Sequence, residues 1–175
     1  DPILEDSPAQ LFTFKEIVQD IIFPRFEGNN NEEPGQWSTL NLVAEHCYFY
    51  NLSSKGFFKQ RASFLNAHFH GKTSFTSAHF YDNATFSGTH FHGCAIFSNA
   101  RFHDGATFHG AYFYESASFS RAHINIDTPF DPNNNYGNCA NFSEIEFCNN
   151  ASFYLAKFYN CASFNETHFN KNTPP

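Results

Sequence analysis

Two His-x-His pairs stand in this 175-residue chain, His68/His70 and His90/His92. Neutral imidazole is a ligand for zinc, copper or nickel, so four such rings drawn together would make a transition-metal site. The interval from the first pair to the second recurs between Cys139 and Cys161. Other chemistry is thin. The spacings H-E-x-x-H and C-x-x-C are missing. Gly71-Lys72-Thr73 ends like a phosphate loop, but Asn66 stands where its first glycine belongs. Asp131, Asn133 and Asn135 imitate the start of a calcium loop, yet Tyr136 and Phe142 replace its required glycine and its closing glutamate. No Ser-His-Asp or Cys-His constellation follows from spacing. No catalytic residue and no cofactor are expected.

What would position the histidines is a repeat. Aligned on phenylalanine, which supplies 25 residues, the chain reads ASFLNAHFHGK (62–72), TSFTSAHFYDN (73–83), ATFSGTHFHGC (84–94), AIFSNARFHDG (95–105), ATFHGAYFYES (106–116) and ASFSRAHINID (117–127). After an interruption come ANFSEIEFCNN (140–150), ASFYLAKFYNC (151–161) and ASFNETHFNKN (162–172). Central residues are spaced alternately by five and six, and a small residue, usually Ala, sits two before each. A fixed short period marks a stacked array, and this one lacks the 3.6-residue rhythm of a helix. Residues two apart share one side of a strand, so Ala and Phe point inward and their polar neighbours outward. A turn made of one such unit would leave no width for a core, whereas a turn made of two gives four sides with one Phe each.

The segments Ala62-Ser63-Phe64, Ala84-Thr85-Phe86, Ala140-Asn141-Phe142 and Ala162-Ser163-Phe164 resemble the pentapeptide-repeat family, over roughly residues 56–170. The resemblance implies an all-β fold, a right-handed four-sided (quadrilateral) β-helix, or solenoid, with two of the aligned units in each coil. Phe in place of the usual Leu, and a sixth residue in alternate segments, set this chain apart. Ser7-Pro8 and the apolar positions Leu11, Phe14, Ile17, Val18, Ile21 and Ile22 predict a short N-terminal capping α-helix over 8–22. Two parts follow: helix and polar linker over 1–37, and the solenoid over 38–172, with degenerate coils from about Leu40 to Phe58 and a loop inserted at 128–138.

A coil of two units sorts the surface into four faces. One carries His46/Tyr48, His68/His70, His90/His92 and Tyr112/Tyr114; the opposite one carries His79/Tyr81, Arg101/His103 and His123/Asn125. The other two carry hydroxyls: Ser74/Thr76, Ile96/Ser98, Ser118/Ser120, Asn141/Ser143 and Ser163/Asn165 on one; Ser63, Thr85/Ser87 and Thr107 on the other. His68, His70, His90 and His92 are thus the candidate metal ligands. Ladders of stacked rings shielding the backbone are the simpler reading of that face, since no carboxylate lies near to orient the imidazoles. Cys139 and Cys161 occupy one corner column, one coil apart, within disulfide reach; stacked free thiols fit as well. Cys94 shares that column two coils away, Cys47 falls on a core position, and Cys148 is an outward neighbour of Phe147.

Charge narrows the function. Residues 1–45 hold nine acids and two bases; residues 46–175 hold eight of each. No basic stripe marks a nucleic-acid binder, no apolar run is long enough to span a membrane, and the neutral solenoid lacks the acidic surface of the family's DNA-mimicking topoisomerase binders. The expectation is a non-catalytic scaffold or protein-interaction module, with a protein partner and a homodimer by end-to-end or face contact as one form of it. The alternative is a ligand surface, binding metal on the histidine face or a repeating ligand on the hydroxyl faces. The chain opens Asp-Pro-Ile-Leu, which fits a removed export signal; a periplasmic or secreted location is expected, otherwise a cytoplasmic one.

Overall fold

Alternation of inward Ala and Phe with outward polar residues yields strands only two or three residues long, because each segment must turn a corner after its phenylalanine. A computed structural model describes residues 22–27, 34–127 and 139–169. Within them are 21 strands, β1 (Leu42–Val43) to β21 (His168–Phe169). They form four parallel sheets of six, six, four and five strands, one for each side of the coil. The chain is an all-β, four-sided parallel solenoid. Register in the regular coils advances by two repeat units: Ala62 pairs with Ala84, His68 with His90, Thr73 with Ala95 and His79 with Arg101.

The corners alternate with the five-and-six spacing. A residue with positive φ turns the corner within each five-residue interval, at Asn66, Ser77, Gly88, Asn99, Gly110 and Arg121, and the sixth residue falls at the alternate corners, as between Phe69 and Thr73. Glycine and asparagine enter this left-handed region most cheaply. Each such corner follows one of the two hydroxyl-bearing sides.

The interior is four columns of phenylalanine. Phe49, Phe69, Phe91, Phe113, Phe147 and Phe169 stack with ring centroids 4.7–5.0 Å apart. Phe64, Phe86, Phe108, Phe142 and Phe164 form a second column, Phe75, Phe97, Phe119 and Phe153 a third, and Phe58, Phe80 and Phe102 a fourth that continues through Ile124 to Phe158. Neighbouring columns meet edge to face, as Phe86 and Phe97 do at 5.3 Å and 82°, the arrangement that the ring quadrupole favours. From Phe64 to Phe119 every central phenylalanine is at most 1 % exposed. Where Thr89 replaces the inward alanine, its hydroxyl donates to the Phe64 carbonyl of the preceding coil at 2.9 Å, which meets the demand that a buried polar group be bonded.

Two departures from this register matter. Leu42 pairs with Ala62 and Tyr48 with His68, so the first coil is two residues short on these sides. Across the insertion the step is much longer, from Thr107 to Asn141 and from Ile124 to Phe158. The insertion at 128–138, all but Ile22 of the expected helix at 8–22, and most of the linker lie outside the described residues. What covers the first coil within them is a single 3-10 turn, Phe23–Arg25, opened by Pro24. Phe23 packs edge to face on Phe49 and Phe26 stacks on Phe58, and the Phe26 carbonyl accepts from the Phe57 amide at 2.8 Å. No helix among the described residues is long and apolar enough to cross a membrane.

Candidate functional site

The short strands β2 (Tyr48–Tyr50), β5 (His68–His70), β9 (His90–Phe91) and β13 (Tyr112–Phe113) lie in register, and each turns its phenylalanine inward. The residues on either side of that phenylalanine must then face out. Two columns of rings result. Tyr48, His68, His90 and Tyr112 stack at 4.7–4.9 Å with planes within 9° of parallel. Tyr50, His70, His92 and Tyr114 stack at 5.1, 4.3 and 4.9 Å. The columns are tied diagonally. His68 Nδ1 and His92 Nε2 share a hydrogen bond at 3.2 Å, and His90 Nδ1 meets the Tyr114 hydroxyl at 3.1 Å.

Of the four expected ligands, the structure gathers His68, His70 and His92, whose ligating atoms all lie within 4.8 Å of one another. His90 stacks between His68 and Tyr112 but stands outside that group. Burial lowers the pKa of His70, His90 and His92, with neighbouring imidazoles adding to the effect. Those three rings are therefore uncharged near neutral pH. Burial also raises the Tyr114 hydroxyl and the Cys148 thiol.

His46 does not belong to this face. The two-residue deficit of the first coil advances Tyr48 into register with His68 and Tyr50 with His70, and leaves His46 at a corner with φ of 56°. The pattern x-Phe-x at 48–50, repeated at 68–70, is the signal that reveals this. Cys47 is exposed rather than on a core position, and Cys148 keeps its outward place beside Phe147, opposite Tyr114, but is buried there.

The opposite face, built on β7 (His79–Phe80), β11 (Arg101–Phe102), β15 (His123–Ile124) and β19 (Lys157–Phe158), differs in charge. His79 is half-buried beside Arg101 and His103, and burial first, then those cations, push its pKa down to about 4. His103 pairs with Asp127 at 2.8 Å, and His123 Nδ1 meets the Tyr159 hydroxyl at 2.8 Å. Asn99, Arg101, Arg121, His123, Leu155 and Lys157 line an open depression of about 440 Å³.

The hydroxyl faces are redistributed. Because the insertion lengthens one coil without adding a side to it, Asn141 and Ser163 follow Thr107 on the face of Ser63 and Thr85, not the face of Ser74 and Ser118, which continues instead in Ser152. Many of these hydroxyls bond one another, as Ser98 with Ser118 at 2.9 Å, Ser120 with Ser152 at 2.9 Å and Ser143 with Ser163 at 2.7 Å. The same step in register separates the cysteines. Cys139 and Cys161 are joined as a disulfide with Cα atoms 4.7 Å apart. Cys94 lies not in their column but before Ala95, at the diagonally opposite corner.

A family model for pentapeptide repeats matches residues 58–94 and 86–131, in nine copies. Residues 58–131 are a pentapeptide-repeat array. The four-sided coil, the inward Ala and Phe, and the corners all carry the repeat on through the coils after the insertion. No curated protein and no solved structure matches the chain.

Proposed function

We propose that this pentapeptide-repeat solenoid is a non-catalytic scaffold that presents its His/Tyr face to a protein partner. One observation carries the reading: eight rings, from Tyr48 and Tyr50 to Tyr112 and Tyr114, form a continuous flat plane with no Lys, Arg, Asp or Glu among them, and Tyr48 is 58 % exposed at its edge. Rigid aromatic side chains with polar tips give contact area at small entropic cost, and interface centres are enriched in them and poor in charge. The filled phenylalanine core beneath offers no room for a substrate, whereas enzyme sites are concave. The charge balance of the repeats supports neither a nucleic-acid ligand nor mimicry of one.

A photocrosslinking amino acid placed at Tyr112, on this face, and at Ser118, on a hydroxyl face, tests the reading in cells that make the protein. Crosslinked adducts at 112 and none at 118 are expected. A product of twice the chain's mass identifies a second copy as the partner. Equal labelling at both positions, or none at 112, overturns the assignment.

A further inference from the structure

We propose that His68, His70 and His92 form a binding site for a divalent transition-metal ion, copper(II) most tightly and nickel(II) or zinc(II) less so. The site stands on geometry that the repeat itself enforces. His68 and His70 flank the buried Phe69 on one strand, so both imidazoles leave the same side of the backbone. His92 comes from the next coil, and the hydrogen bonds that hold Phe69 against Phe91 fix its height. The ligating atoms of the three residues lie within 4.8 Å of one another, and one pair is already at 3.2 Å. Metal–imidazole bonds of about 2.0–2.1 Å place two nitrogens on one ion at most ~4.2 Å apart. None of the three separations exceeds that limit by more than about 0.6 Å.

The rings now lie nearly parallel, 13° between His68 and His92 and 4° between His70 and His92. Their lone pairs do not yet converge. Metal binding therefore turns the rings about their terminal side-chain torsions and replaces the His68–His92 hydrogen bond. The hydrogen in that bond moves to the other nitrogen of its own ring, so both facing nitrogens offer lone pairs and no proton is released. Three neutral nitrogens with no thiolate or carboxylate suit copper, nickel and zinc, and copper(II) heads the affinity order. Three protein ligands leave positions open for water or for a ligand atom from a partner.

His90 is the internal control. It is as close in sequence and stacks on His68, yet its Nδ1 is engaged by Tyr114 and it stands outside the group. Titrating the full chain with copper(II) chloride by calorimetry, in a buffer containing glycine to hold the metal against weak sites, is the test. A single tight equivalent is expected. His92→Ala and His68→Ala each weaken it by about tenfold or more, whereas His90→Ala leaves affinity unchanged. Paramagnetic resonance of the copper complex shows coupling to three nitrogens. Thermal melts of the metal-free variants verify that they fold. Three outcomes overturn the proposal: no tight equivalent in the parent chain, equal loss in His90→Ala and His92→Ala, or tight binding that survives the His68→Ala/His92→Ala pair and so belongs to a surface histidine elsewhere. Failure here leaves the scaffold reading standing, because that rests on the face and not on a metal.

Discussion

Two opposite sides of this solenoid obey the same repeat and carry histidines at the same outward positions, yet they have different electrostatics. On one side Tyr48, His68, His90 and Tyr112 stack ring on ring, and what surrounds each imidazole is another ring. On the other, Arg101 sits between His79 and His123, with Lys157 beyond, and His79 is driven down to about 4. The inward grammar fixes the backbone and is indifferent to what faces out. Function is written on the outward positions, one column at a time.

Cutting into the core tests that indifference and has the largest expected effect. Phe91 lies behind the ring ladder and Phe102 behind the basic side, both fully buried. Phe91→Ala and Phe102→Ala should each cost about 3–5 kcal/mol, the range for removing a buried aromatic ring. Urea unfolding should show the two losses to be alike; a large gap would mean that the two sides do not share one core.

Acid should then separate the sides. In the unfolded chain His79 takes up its proton near 6.5, in the folded chain only near 4. Between these values the unfolded state binds more protons, so stability is present above 6.5 and is lost as pH falls toward 4. Allowing for solvent screening of a half-exposed ring, the loss is about 1–2 kcal/mol. His79→Phe extends the stack begun by Phe57, 4.9 Å away, and should flatten that part of the stability–pH curve. An unaltered curve would show that His79 is not the group responsible.

The smallest effect belongs to the ladder's diagonal bonds. Tyr114→Phe keeps the ring stacked on His92 and deletes only the hydroxyl that meets His90. A loss of about 0.5–1.5 kcal/mol is expected, with the pH dependence due to His79 unchanged. A thermal melt at neutral pH measures the first, and the same melt under mildly acidic conditions checks the second.

The period, the inward residues and the His-x-His pairs were legible in the sequence because each is a local pattern that the fold repeats without change. The ring ladder was legible only in part. Tyr48 and Tyr50 join it because the first coil is two residues short, and corner length is set by backbone geometry that residue types do not spell out. Counting one regular coil back from His68 arrives at His46, which the corner instead turns away. The insertion misled in the same manner. Treated as a half-turn with one extra residue, it sends Asn141 to the face of Ser118. The observed pairing instead returns Asn141 to the face of Thr107. The plug of Phe23 and Phe26 was hidden because both flank Pro24, just past the end of the expected helix, with no repeat to announce them. Which three of four histidines come together depends on ring tilt and on Tyr114, and spacing along the chain carries neither.

Each coil is two copies of one unit, and this has a consequence for how the chain reaches its fold. A segment displaced by half a turn would still bury its phenylalanines and alanines, so the native arrangement has a near-degenerate rival that differs only in which columns meet outside. Removing that ambiguity falls to the features that break the symmetry. The shortened first coil beneath Phe23 and Phe26 accepts one phase and rejects the other, and each later coil copies the phase of its predecessor through parallel pairing. The phase of such a stack therefore rests on its irregular points: the shortened first coil, and the junction between Asp127 and Cys139, where the pairing takes its longest step.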